Sequence, residues 1–313
     1  MPRRTLDDEQ KADYISAVLC LQSKPAKEYI YSEVKTRFDE FQAYHIQQTR
    51  YIHTVSTGSA RDNFYLGTGI LCSNTKTLLE TNADPGHTIH ESPVFDPATG
   101  FGGTGVPGTY TLPTDISPEE LIFPEVYHGC VQDGPFANLT LHLGPGEHKT
   151  THCLVRGIGN ENSIFLNSTA VANATKSTTF EVFRVQLEGR PATLEARMHD
   201  GGHVAVGGDM SNIFSAPGGG QGISRSNATC DQKRRLLDPL FFLHHANLDR
   251  IWWNWQQVDP SRLYDISGRS SQTPPFVNVT LDYPLEMAQS IGPTVPLWKV
   301  MDIRSEYNCY TYV

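Results

Sequence analysis

The segment Asp238-Pro-Leu-Phe-Phe-Leu-His-His-Ala-Asn-Leu-Asp-Arg-Ile-Trp-Trp-Asn-Trp constrains this chain more than any other stretch. It opens the strongest helix in the sequence, Asp238 to Val258, with Pro239 at the first helical position, where a missing N–H costs nothing. Adjacent histidines His244 and His245, an acid one turn on at Asp249 and paired tryptophans are not the make-up of a plain core helix. A second cluster lies upstream in Met198-His-Asp-Gly-Gly-His. His199 and His203 are four apart, so on a helix their imidazoles lie about 40° apart and can grip one ion. The two glycines between them each weaken a helix by about 1 kcal/mol, which suggests that something approaches the backbone closely there. A zinc-protease reading fails, because that motif needs Glu after the first histidine and this chain has Asp200.

With 313 residues, 38% of them hydrophobic, the chain is long enough to bury a large core, and nothing divides it, so residues 1–313 read as one domain. A net charge of -9 argues against nucleic acid or an anionic membrane surface as partner. The longest apolar runs, such as Leu236 to Leu243, fall far short of the roughly 20 residues of a membrane span, which predicts a soluble protein. The polar amino terminus gives no secretory signal, whereas five sequons at Asn138, Asn167, Asn173, Asn227 and Asn278 have meaning only in a secretory route, so localisation stays open. Six widely spaced cysteines suit a few disulfides but form no disulfide framework.

Thr5 to Gln22 reads as a helix capped by Thr5 or Asp7, and Ser32 to His53 as a longer one. Ala83 to Pro118 reads as an extended surface loop, and Phe180 to Leu187 alternates weakly. Asp249 is placed to orient a ligand or a neighbouring arginine, or else simply pairs with Arg250 or Arg190.

The Asp238 segment matches the copper-B signature of the tyrosinase and catechol oxidase family of type-3 copper proteins, and most of the chain, from Tyr14 to the terminal Cys-Tyr-Thr-Tyr, resembles the short fungal tyrosinases. The resemblance implies a mainly α fold, with an antiparallel four-helix core carrying a dicopper centre, long peripheral loops and little strand. It places the third copper-B ligand at His245 beside His199 and His203. It implies that Phe241 stacks on these histidines, that Val204 shapes the substrate entrance, and that Glu188 is the acid holding a water for phenol deprotonation. Strongly hydroxylating members carry Asn where this chain has Asp200, which favours diphenol oxidation over monophenol hydroxylation.

On the copper-A side, His45-Ile-Gln-Gln-Thr-Arg-Tyr-Ile-His53 resembles the family's first two ligands, eight residues apart. The third ligand's motif is absent. Shifted codons across Phe64 to Cys72 can encode the missing family string, so about residues 54–90 read as a frame-shifted copper-A helix, which costs the core one helix. His87 and His90 read as loop residues that can only stand in as ligands. The spacing from His203 to His245 is 42 residues, where the family has the low twenties, and residues 219–237 read as a retained intron, with a surface insertion as the alternative. The implied activity is copper-dependent oxidation of phenols and catechols to o-quinones by dioxygen. Two rivals remain open: a haemocyanin-like oxygen carrier, and an inactive chain with copper A loose or empty. His128, His142, His148 and His152 have no ligand-like spacing and read as structural or exposed.

Overall fold

Asp7 and Gln10 start the first helix reciprocally: Gln10 N–H donates to the Asp7 carboxylate (2.8 Å) and Asp7 N–H to the Gln10 side chain (3.0 Å). The helix, α1 (Asp8–Ser23), therefore takes Asp7 as its cap. The computed structural model describes residues 6–52, 88–116, 123–161, 163–189, 193–212, 238–270, 274–286, 293–308 and 310–312. The stretch 219–237 and all but the last three residues of 54–90 lie outside these, as do His53 and His87. Among the described residues the chain is mainly helical with two-residue strands and long loops, as the sequence anticipates.

The second helix, α2 (Arg37–Ile52), begins later than the expected Ser32. Its start is set by Asp39, whose carboxylate accepts from the N–H groups of Lys35 (2.9 Å) and Thr36 (2.8 Å), while Thr36 Oγ1 accepts from Asp39 N–H (3.2 Å). That reciprocal cap leaves Ser32 to Thr36 outside the helix. The weak alternation at Phe180 misled as well. Residues Phe180–Glu188 are a helix, here α4, preceded by α3 (Ser168–Thr175). Phe180, Phe183, Arg184, Leu187 and Glu188 are buried at helical spacing, and the period of 3.6 outweighs the apparent period of two. Two more helices follow, α5 (Met198–Val206) and α6 (Pro239–Val258). Helix α5 packs against both α4 and α6.

Among the described residues there are seven two-residue strands. They are β1 (Val106–Pro107), β2 (Gly129–Cys130), β3 (Thr140–Leu141), β4 (His152–Cys153), β5 (Val155–Arg156), β6 (Pro284–Leu285) and β7 (Val295–Pro296). Strands β1, β2 and β5 form an antiparallel sheet in that order, and β3 pairs with β4 and β6 with β7. In keeping with cysteines that suit a few disulfides, Cys130 and Cys153 are joined in a disulfide that ties β2 to β4. The described part of the expected surface loop at 83–118 also departs from expectation: Phe101 is buried and packs edge-on against Tyr14 (5.4 Å) and stacked on Phe136 (6.2 Å). Apolar residues scattered among Gly and Pro were enough to draw that loop into the core.

These parts meet at the start of α6. Asp238 caps the helix, accepting from Leu240 N–H (3.0 Å), and it also accepts from Arg156 Nε (2.9 Å) and Nη2 (3.0 Å). Arg156 Nη1 donates to the carbonyls of Phe101 (3.0 Å) and Gly102 (2.9 Å), so a fully buried guanidinium is paired on every side. Tyr14 adds a hydrogen bond from its hydroxyl to the Pro239 carbonyl. Strand β5, α1 and the Phe101 loop thus hold the helix that carries His244 and His245. Replacing Arg156 with Ala strands the buried Asp238 charge, and urea denaturation is expected to show a loss of about 3–5 kcal/mol; a loss below 1 kcal/mol contradicts this anchoring.

Candidate metal centre

His199 and His203 are buried on one face of α5, and His245 is buried on α6 facing them. One ligand atom from each lies within 4.8 Å of the other two, and the Nε2 atoms of His203 and His245 are 3.2 Å apart. Three nitrogens each about 2 Å from one ion would stand roughly 3–4 Å apart, so the rings need only a small adjustment to share it. Among the described residues this is the one group that could hold a metal.

For His203 and His199 the ring nitrogens away from this meeting point are engaged. His203 Nδ1 lies 2.8 Å from the Met210 carbonyl, which only accepts, so Nδ1 carries the proton and Nε2 keeps its lone pair. His199 Nδ1 lies 3.0 Å from Glu188 Oε2 and donates to that buried carboxylate. Phe241 covers the third side, its ring stacked on His245 (4.2 Å between centroids) and tilted against His203 (5.3 Å). Three buried imidazoles, two oriented by hydrogen bonds and the third by the Phe241 ring, are a donor set suited to copper.

His244 explains the glycines. Its Nε2–H donates to the His199 carbonyl (2.8 Å), and its ring lies so close to α5 that a Cβ on Gly202 would sit 2.2 Å from His244 Cε1. Burial, then the neighbouring His199, lowers its pKa to about 3, and its Nδ1 is buried with no hydrogen-bond partner. His244 is therefore a neutral spacer between the two helices, and the close approach implied by the glycine pair is its imidazole.

Other expected site residues fall in varied places. His45 is buried on α2 with its ring 5.7 Å from Phe241, next to the site; His53 lies outside the described residues. Val204 is buried on α5 after His203. Glu188 is at the centre, but its Oε2 holds His199, which ties it to ring orientation. Asp200 is at the start of α5, where its Oδ1 accepts from Arg197 N–H (2.7 Å) and lies where a Cβ on Gly189 would be. A carboxylate at the third position of a helix is drawn to the exposed N–H groups there. Asp249 departs from expectation. Its Oδ2 accepts from the hydroxyls of Tyr310 (2.7 Å) and Tyr312 (2.5 Å), while Arg250 donates to Asn247 Oδ1 (3.0 Å). The terminal Tyr-Thr-Tyr is fastened to α6 by this carboxylate, a link that only the repeated tyrosines hinted at. His90 and His128 are exposed, and His142 pairs with Asp39 (2.9 Å), all apart from the cluster as expected.

A mainly helical fold with three buried histidines converging from two helices defines a histidine-held metal site whose donor set suits copper. The sequence matches the common central domain of tyrosinase over residues 71–219 and 228–258, and the chain belongs to the tyrosinase family. It is 29% identical to the tyrosinase-like protein phomQ1 of Diaporthe leptostromiformis, covering 99% of this chain and 76% of that protein. Tyrosinase P of Aspergillus terreus is 27% identical over 98% of this chain and 89% of its own length. A solved variant of polyphenol oxidase from Thermothelomyces thermophila superimposes with a TM-score of 0.77 at 27% identity, covering 99% of this chain and 87% of that one. By this kinship the chain is a copper oxidoreductase.

Gly202→Ala drives a methyl into His244, with an expected loss of about 1–3 kcal/mol in thermal or urea unfolding. His244→Ala in the same chain removes the clash, so the pair should lose less than the sum of the singles; additive losses would show that the two do not touch. A second expectation concerns pH. Burial, opposed by the two tyrosine hydrogen bonds, raises the Asp249 pKa from 3.8 to about 7. The folded state then binds the proton more tightly than the unfolded state, so this contribution is complete below about pH 4 and is lost as pH rises to about 7. The unfolding free energy of the wild type relative to Asp249→Asn should fall across that window; a constant difference rules the shift out.

Proposed function

We propose that the chain binds copper through His199, His203 and His245 and oxidises phenols, catechols above all, to o-quinones with dioxygen. The observation that carries this reading is the convergence of three buried imidazoles, two of them with Nδ1 committed to an acceptor. Among the relatives, the polyphenol oxidase and the N-acetyl-6-hydroxytryptophan oxidase ivoB of Emericella nidulans, the latter 28% identical over 98% of this chain and 90% of its own length, carry oxidised hydroxy-aromatics in their names. Copper, when bound, supplies the redox chemistry and the place for dioxygen. The chain's own side chains do the rest: Glu188 and the Met210 carbonyl hold two ligand rings in orientation, and Phe241 keeps water from a third. Asp200, spent on a helix cap, is no proton acceptor for a monophenol in this reading, which favours diphenol oxidation.

We further propose that copper A is held more weakly, by His45 and His53 without a matched third histidine. The family's third copper-A motif has no counterpart after His53 in the sequence, which supports this. The family match leaves out residues 220–227 but takes in 219 and 228–237, so only the middle of the stretch 219–237 read as a retained intron lacks a family counterpart. The family match begins at residue 71 and so already covers the later part of the stretch 54–90 read as frame-shifted, at whose end Ile89 is buried with its N–H donating to Asn160 Oδ1 (3.0 Å). A secretory origin is supported by the Cys130–Cys153 disulfide and by exposed sequon residues Asn138, Asn173 and Asn278. Asn167 is instead occupied as the cap of α3, accepting from Ala170 N–H (2.9 Å).

The test is a stepwise copper titration of the apoprotein with dioxygen and catechol. One equivalent should bind tightly, and quinone formation should rise only as a second, weaker equivalent is added. His245→Ala should abolish the tight site and the turnover together. A protein that takes up no copper, or turnover untouched by His245→Ala, would overturn the proposal.

A further inference from the structure

His152, which its sequence spacing marks as unremarkable, touches no ligand yet is joined to one through three connected groups. Its Nε2 lies 3.0 Å from Asp209 Oδ1 and its Nδ1 lies 3.1 Å from the Thr150 carbonyl, so both ring nitrogens donate to acceptors. Tyr110 packs on the ring at 5.6 Å. Asp209 is buried, and its other oxygen accepts from Val155 N–H (2.8 Å) on β5. The next residue is Met210, whose carbonyl accepts the Nδ1–H of His203.

The turn that presents this carbonyl is tight. Gly207 and Gly208 both have positive φ (72° and 53°), and a Cβ on Gly208 would lie 2.0 Å from the Val155 carbonyl, so the chain reverses directly beneath β5. Met210 N–H and Ser211 N–H close the turn on the carbonyls of Gly207 (3.1 Å) and Gly208 (2.9 Å). Two tethers hold Asp209 in that turn from outside it: the Val155 N–H and the His152 ring.

We infer that His152 is a positioning residue of the metal centre: by holding Asp209 it places the Met210 carbonyl, which fixes the His203 tautomer and aims Nε2 at the ion. This rests on the reading that His199, His203 and His245 hold copper. Burial works against a charged His152 ring, yet Asp209's charge and the hydrogen bonds outweigh it and raise the ring's pKa, in keeping with a doubly donating imidazole. Without His152, the buried carboxylate keeps only Val155 and the turn can shift, leaving His203 free to exchange its protonated nitrogen.

The test uses the full-length apoprotein and aqueous Cu(II), with affinity read by chelator competition and the bound ion by electron paramagnetic resonance. His152→Phe should weaken binding about ten- to hundredfold, the range seen when a ligand's outer partner is removed, and should change the copper hyperfine splitting. His152→Gln, which retains one N–H toward Asp209, should recover most of both. Combined with Asp209→Asn, His152→Phe should lose no more than the worse single variant. Should His152→Phe fail to fold, Asp209→Asn takes its place with the same loss and spectral change expected. Wild-type affinity and spectrum in the folded variant, no recovery with Gln, or additive losses would overturn the inference while leaving the copper site intact. Absence of Cu(II) binding by the wild type would instead overturn the site reading itself.

Discussion

Two helices share one metal ion only at a particular separation and register, and here the contact that sets both is His244 on Gly202. The imidazole lies where a side chain on α5 would be, and its N–H reaches the His199 carbonyl at 2.8 Å. A larger residue at 202 would push α5 away from α6 and take His199 and His203 out of reach of His245. Gly202 is thus the condition for the site, and its cost in helix propensity, about 1 kcal/mol, is offset by the packing of His244 against it.

Orientation is the second requirement, and it is met from outside the helices. The Glu188 carboxylate at the end of α4 takes the outer N–H of His199, and a backbone carbonyl from the turn after α5 takes that of His203. Both acceptors are buried in a medium where an unpaired donor is costly, so the rings are locked as firmly as the backbone that holds them. The Arg156–Asp238 pair does the same for α6 as a whole, with both side chains fully buried and every donor facing an acceptor.

What the sequence revealed was local in origin. The cap and proline at Asp238–Pro239, the four-residue spacing of His199 and His203 and the Asp7 cap all depend on neighbours within one helical turn, and the structure places them as read. What it concealed depends on partners far along the chain. Asp249 reads locally as orienting a ligand or pairing with an arginine, because nothing nearby announces tyrosines some sixty residues on. His152 and Asp209 are 57 residues apart, and neither has ligand-like spacing. The glycine pair was legible as a close approach but not as an approach by His244, since the doublet His244-His245 gives no sign of which ring faces the ion. The helix at Phe180 was missed for a different reason: nine residues give too little pattern to separate a period of two from one of 3.6.

The central claim is that imidazoles at 199, 203 and 245 bind the same copper. Copper K-edge X-ray absorption on protein loaded with one equivalent tests it most directly, because imidazole rings give a distinctive outer-shell scattering whose size counts them. The account predicts scattering from three imidazoles, reduced to two by His203→Ala. A spectrum with one imidazole or none, or one unchanged by that substitution, would contradict it.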